Sequence, residues 1–192
     1  MPNWCFTSCY VTGNKKDVRD LYDTMKSLED REQPLEPNGF GKTWLGNLIV
    51  ALGGDWNEIY CRGEWSDLRI DEYDNAVRFS IESAWSYPEE FFDYMHRRCP
   101  GIDIYFLAEE PSMDIYVTND VEGFFYSVRY AISYKDDETY YDDKQLQEFL
   151  RDLGEIIGTP VSNIDEIHNA VADFNEVLEN DFLEVKIFDV IK

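Results

Sequence analysis

The stretch from Phe79 to Val117, FSIESAWSYPEEFFDYMHRRCPGIDIYFLAEEPSMDIYV, constrains the fold more than any other. Leading into it from Ala76, Val77, Phe79, Ile81 and Ser83 alternate with Arg78, Ser80 and Glu82. That is the period of a half-buried antiparallel strand, running to Trp85. Ser86-Tyr87-Pro88-Glu89-Glu90 then opens a helix: Pro88 suits the first helical position, and the glutamates suit the positive end of the dipole. Phe91, Phe92 and Met95 are placed to face a sheet, and Cys99-Pro100-Gly101 ends the helix. Ile102 to Ala108 and Met113 to Thr118 read as two more strands, joined by Glu109-Glu110-Pro111-Ser112. Strand, short helix and two strands in this order predict an α+β domain.

The remainder supplies further elements. Trp4 to Thr12 alternates as a strand and stops at Gly13-Asn14. Val18, Leu21, Tyr22, Met25 and Leu28 form one stripe of a helix over 17–28. Pro34, Pro37, Gly39 and Gly41 make 30–41 a loop. Thr43 to Leu52 reads as a short helix or a buried strand, with the Gly53-Gly54 stop and the i, i+4, i+8 register of Trp44, Leu48 and Leu52 favouring the helix. Glu58 to Ser66 reads as a strand with Ile59, Cys61 and Trp65 on alternate sites, extended or followed by Leu68 to Ile70. The DEYDN run that follows reads as a turn, and Gly123 to Tyr134 as a long strand. KDDETYYDD (135–143) then reads as a polar acidic link. Leu146, Phe149, Leu150, Leu153, Ile156 and Ile157 mark an amphipathic helix ending at Gly158. Asn163 with Glu166 resembles a capping box, with Asn in place of Ser/Thr, before a second helix carrying Ile164, Ile167, Val171, Phe174 and Leu178. Leu183 to Val190 alternates as a final strand.

Charge excludes several classes of partner. Forty acidic against 17 basic residues give a formal net of −23, although aromatics at 16% provide ample packing material. Residues 1–50 are nearly balanced, with 7 acidic and 6 basic, whereas residues 136–192 hold 16 acidic and 4 basic. Such a field repels nucleic acid and anionic membrane and favours a basic protein partner; the plain alternative is that acidity only keeps the chain soluble. Cys5, Cys9, Cys61 and Cys99 lack CxxC pairing, and with two histidines in the chain no zinc site is predicted. MPNWCF lacks the basic and apolar regions of a secretory leader, and no run approaches a membrane span, so a cytoplasmic protein with reduced thiols is expected.

MPNWC, the following helix, FSIESAW-SYP, a short helix and CPGIDIYFLAEEP together resemble the YubB-type ferredoxin-like domain family, common on plasmids, in phages and in gut bacterial mobile elements. Met1 to Cys5, Ala84-Trp85-Ser86 with Pro88, and Glu109-Glu110 carry the likeness, which covers residues 1 to about 120. Where that family usually has an Asn-Trp-Gly-Thr-Lys-Trp-like segment, this chain has Arg62-Gly63-Glu64-Trp65. The resemblance implies a ferredoxin-like antiparallel sheet with helices packed on one face. To this the sequence adds a C-terminal helical pair and a final strand. The expected division is a core over 1–135 and an acidic extension over 136–192 packed on the same core. No catalytic residues follow from the likeness, and no iron–sulfur cluster, since the cysteines lack ligand spacing.

Candidate chemistry is sparse. GFGKTW invites a phosphate-loop reading, but Glu36 occupies the position where the cradle needs glycine. His96 and Cys99 stand at i and i+3, yet they end a helix whose basic residues complement its dipole. His168 reads as an ordinary helix residue. The pairs Glu89/Glu90, Glu109/Glu110, Asp136/Asp137 and Asp142/Asp143 read as solvated acids. Trp65, Trp85, Tyr87, Tyr140 and Tyr141 are candidate exposed aromatics; beside so many acids they suit docking to a basic groove rather than base stacking. The leading reading is therefore a non-catalytic, cofactor-free interaction protein of mobile-element type. Its acidic C-terminal part mimics nucleic acid and occupies a basic nucleic-acid-binding, host-defence protein. The contact candidates are Asp136, Asp137, Glu138, Asp142, Asp143 and Glu148. The alternatives are a small carboxylate-based or metal-dependent hydrolase, and a solvated accessory domain.

Overall fold

The computed structural model describes residues 3–71, 73, 75–178 and 181–192. Met1, Pro2 and, within the expected DEYDN turn, Glu72 and Asp74 lie outside the described residues. The chain forms an α+β protein of two compact units that divide between Asn119 and Asp120.

The first unit contains β1 (Trp4–Gly13), α1 (Lys15–Glu29), α2 (Leu45–Ala51), β2 (Gly63–Asp71), β3 (Ala76–Ala84), α3 (Glu89–Arg98), β4 (Ile102–Glu110) and β5 (Ile115–Thr118). Its strands pair in the order β2-β3-β1-β4-β5, and each of these pairings is antiparallel. The opening strand is thus central, with Cys9 opposite both Phe79 and Phe106. That row, with Val11, Ile81 and Trp65, makes one apolar face. Helix α1 lays Val18, Leu21, Met25 and Leu28 against the sheet, and α3 lays Phe91, Phe92 and Met95 there. Phe92 stacks on Phe106 with ring centres 4.7 Å apart, and the Trp65 indole reaches Glu29 on α1, so both helices cover the same face. Each such large apolar side chain contributes about 1.5–3 kcal/mol on burial.

Local chemistry sets the element ends. Asn14 caps α1 by accepting from the Asp17 amide at 3.0 Å, while its own amide donates to Gly101 O at 3.0 Å. Gly13, at φ +147°, lies so close to the α3–β4 turn that a Cβ would stand 2.2 Å from Gly101 O. Pro88 is the N-cap of α3 rather than its first residue. The expected strand over 58–66 begins only at Gly63, because Trp56–Glu58 form a 3-10 turn capped by Asp55. After a bulge between Ser66 and Arg69 the same strand continues to Asp71.

The second unit contains β6 (Val128–Tyr134), β7 (Asp137–Asp142), α4 (Leu146–Ile157), α5 (Ile167–Glu176) and β8 (Glu184–Ile187), with strand order β7-β6-β8. The 135–143 segment is therefore no link: it turns at Lys135, whose φ is 58°, and returns as β7. Because β6 pairs with β7 and β8, the chain divides after Asn119 instead of at the expected 135/136 position. Phe149, Leu150 and Leu153 of α4 pack on Tyr130, Ile132 and Tyr141, joined by Ile167 and Leu183. Gly158, at φ +81°, ends α4 with its amide on Gly154 O. The expected strand over 183–190 is split at Phe188 into β8 and a two-residue strand at Asp189–Val190.

The expected long strand from Gly123 starts only at Val128, and the reason is a buried clamp. Arg129 is 6% exposed, and its guanidinium donates to Tyr126 O (2.8 Å), Val128 O (3.0 Å), Asp120 O (2.6 Å) and Val121 O (3.3 Å). Asp120, fully buried, accepts from the Phe125 and Tyr126 amides at 2.6 and 2.9 Å. Backbone groups that a sheet would have used are committed to these two side chains.

Candidate functional site

The six acids singled out above fall into two groups at opposite ends of β7. Asp136 occupies the hairpin turn, and Asp137 and Glu138 begin the strand. Asp142 ends it, Asp143 starts a 3-10 turn, and Glu148 lies in the first turn of α4. At about 3.4 Å per residue, the five steps from Asp137 to Asp142 separate the groups by about 17 Å.

Their roles differ. Glu138 accepts from Lys186 Nζ at 2.9 Å, from Ser133 Oγ at 3.1 Å and from the Tyr140 hydroxyl. These bonds, that from Tyr140 foremost, hold its carboxyl below the usual range. Asp142 forms a reciprocal cap: it accepts from the Lys144 amide at 2.8 Å, and Gln145 Oε1 accepts from the Asp142 amide at 3.0 Å. Glu148 accepts from Gln145 Nε2 at 3.0 Å and stands 3.8 Å from Arg151. Asp136, Asp137 and Asp143 are exposed. Structure-forming roles thus occupy half of the set.

Among the candidate aromatics, Trp65 (1% exposed) and Tyr141 (4%) are core residues, because the inward side of each strand faces a helix. The Tyr141 hydroxyl still finds Asp152 at 3.0 Å. Trp85 and Tyr140 are exposed, and Tyr87 is half-buried against Phe106. Trp85 carries a left-handed backbone, φ 73°, secured by its amide on Asn3 O at 2.8 Å. A bulky residue pays strain for that conformation.

The sheet end carrying Trp85 also bears a cleft in the first unit that periodicity does not reveal. Its volume is about 450 Å³, and Phe40, Trp44, Trp56, Tyr60, Arg62 and Glu90 line it with Glu58. A smaller hollow of about 290 Å³ lies beside it, bounded by Tyr60, Tyr87, Glu89 and Glu90. Trp44 meets Trp56 edge-on at 5.1 Å and donates its indole N–H to Cys61 O at 2.9 Å. The Tyr60 amide donates to Glu90 Oε2 at 2.5 Å, and its hydroxyl donates to Ala84 O at 2.9 Å. Phe40 is placed by the GFGKTW segment. There Asn38 Oδ1 takes the Phe40 and Gly41 amides, both at 2.7 Å, and buried Asn47 donates to Gly41 O and Lys42 O at 3.0 Å. Two of the amides that a phosphate would need, those of Phe40 and Gly41, are thus already occupied.

Other candidates stay apart. His96 and His168 are exposed on their helices, and burial pushes the Cys99 thiol up. Burial likewise raises Cys5 and Cys61, each to about 11, away from nucleophilic use at neutral pH. Glu110 is no solvated acid: it is 2% exposed, with one oxygen on the Ser112 amide at 3.2 Å. Among the described residues, no three His, Cys, Asp or Glu side chains converge as a metal site, and no helix is long and apolar enough to cross a membrane. No family model, curated protein or solved structure matches the chain.

Proposed function

We propose that this is a ferredoxin-like protein of the YubB type that works by binding rather than catalysis. Its carboxylate-bearing second unit docks on a basic, nucleic-acid-binding protein in place of nucleic acid. The order β2-β3-β1-β4, with both connecting helices on one face, supports the fold reading. The observation that carries the function is the pair of carboxylate groups at the two ends of β7, fixed by a tight turn on one side and a reciprocal cap on the other. Rigid, spaced carboxylates suit charge complementarity with a phosphate-binding surface. Glu138 is held below the usual carboxylate range, chiefly by the hydrogen bond from Tyr140, the direction of a retained anion rather than a proton donor. The excess of acidic residues after 135 suits a basic nucleic-acid-binding partner, of which a host-defence protein is one class.

Displacement of labelled duplex DNA from a panel of basic nucleic-acid-binding proteins tests this, read by anisotropy at 50 and 300 mM salt. The chain is expected to displace DNA from a panel member at low salt. The D136N/D137N/D143N/E148Q variant is expected to be at least about tenfold weaker. Absence of displacement from every panel member at 50 mM salt refutes the proposal.

A further inference from the structure

The aromatic cleft of the first unit is unused by the acid clusters of the second. Its composition is specific. Trp44, Trp56, Phe40 and Tyr60 present ring surface, while Glu58 and Glu90 present anions among those rings. Glu90 borders both hollows, and its carboxylate is oriented by the bond from the Tyr60 amide. Glu89 adds a further anion to the smaller hollow, whereas Arg62 is the one cation among the described lining residues of either. Ring faces attract a cation through their quadrupole, and a neighbouring carboxylate adds a direct charge contact. The formal net charge of −23 disfavours an anionic occupant such as a nucleotide.

We propose that this cleft binds the cationic side chain of an arginine or lysine presented by a basic protein segment. The guanidinium or ammonium group lies against the Trp56 and Tyr60 rings and pairs with Glu90, and the aliphatic stem covers the apolar wall at Phe40 and Ile59. Fixing Tyr60 at both its amide and its hydroxyl keeps one ring in place before the ligand arrives. This deepens the proposed function in naming what the basic partner would present. It nevertheless rests on residues of the first unit only, so the two proposals fail separately.

The test titrates the full chain with the peptide Ac-Gly-Arg-Gly-amide and with its neutral citrulline isostere, by calorimetry and by NMR of the indole and amide protons. The arginine peptide is expected to bind with shifts at the Trp44 and Trp56 indoles and the Tyr60 amide, at least about tenfold tighter than citrulline. Glu90→Gln, a change at an exposed side chain, is expected to weaken it at least about fivefold while near-UV circular dichroism stays unchanged. The D136N/D137N/D143N/E148Q variant is expected to bind the peptide within about twofold of the parent, whatever happens to DNA displacement. Equal affinity for arginine and citrulline, arginine affinity untouched by Glu90→Gln, or no binding at millimolar peptide would each overturn the proposal.

Discussion

Replacing Arg129 by methionine should unfold the second unit selectively. The side chain keeps its apolar stem but loses the guanidinium that serves four carbonyl oxygens at 2.6–3.3 Å. Hydrogen bonds from a charged donor are worth about 1.5–3 kcal/mol each, although carbonyls near the surface regain water. With that regained water discounted, the loss of the four bonds costs about 3–5 kcal/mol. A unit of this size has about 4–10 kcal/mol of stability in all, so the variant stands near its unfolding midpoint. The assay follows from composition: all five tryptophans (Trp4, Trp44, Trp56, Trp65, Trp85) lie in the first unit. In urea, tryptophan fluorescence then reports the first unit, and helix ellipticity reports both. At about 1 kcal/mol per molar urea, the ellipticity component from α4 and α5 should move down by roughly 3 M, with fluorescence unchanged. Arg129→Lys should recover less than half, because an ammonium lacks the planar fork. An ellipticity transition displaced by less than about 1 kcal/mol would refute this account of the clamp.

Three further outcomes are expected. Gly13→Ala should cost the first unit about 3 kcal/mol or more, since its Cβ would meet the Gly101 carbonyl at 2.2 Å, and the loss is read as a lowered fluorescence midpoint. Asp142→Ala should cost the second unit about 1 kcal/mol by opening the reciprocal cap, whereas Asp136→Asn and Asp137→Asn should leave the urea midpoint within about 0.5 kcal/mol. Stability of the first unit should fall between pH 9 and pH 11. There the unfolded chain releases protons from Cys5 and Cys61 near the ordinary value of 9.0, while burial keeps the folded thiols protonated to about 11. Fluorescence-monitored urea midpoints across that range check the sign; a midpoint flat to pH 10.5 would contradict it.

Most of the first unit could be read from residue spacing because its strands are amphipathic. Cys5, Thr7 and Cys9 are buried around exposed Phe6 and Ser8 in β1, and Val77, Phe79 and Ile81 are buried around exposed Arg78 and half-buried Ser80 in β3. The elements that spacing does not reveal are held by polar side chains. In β7 the inward positions are Asp137, Thr139 and Tyr141, of which only Tyr141 is buried, so a charged edge strand imitates a linker. Conversely, the aromatic run 124–126 imitates a strand, yet its backbone groups go to Asp120 and Arg129. The cleft was invisible for a related reason: Trp56 and Tyr60 stand on irregular chain between α2 and β2, positioned by Asp55, Glu90 and Ala84 rather than by any period.

The central place of β1 also governs when the first unit can form. Thr7 lies opposite Ile81 on one side and Ala108 on the other, about 70 and about 100 residues later in the chain. A nascent chain carrying β1 alone has an aromatic, β-branched strand with both edges open until β3 and then β4 leave the ribosome. Helix α1 is suited to that interval. Asn14 caps it, and Arg19–Asp23 and Lys26–Asp30 pair across successive turns, so it gains local order without the sheet. In the second unit β6 meets β7 through a tight turn, and β8 completes the sheet only when Val185 comes opposite Ile132. Synthesis from the N-terminus therefore leaves the earlier unit waiting longest for its partners, and exposes its first strand to chaperones before any of its sheet exists.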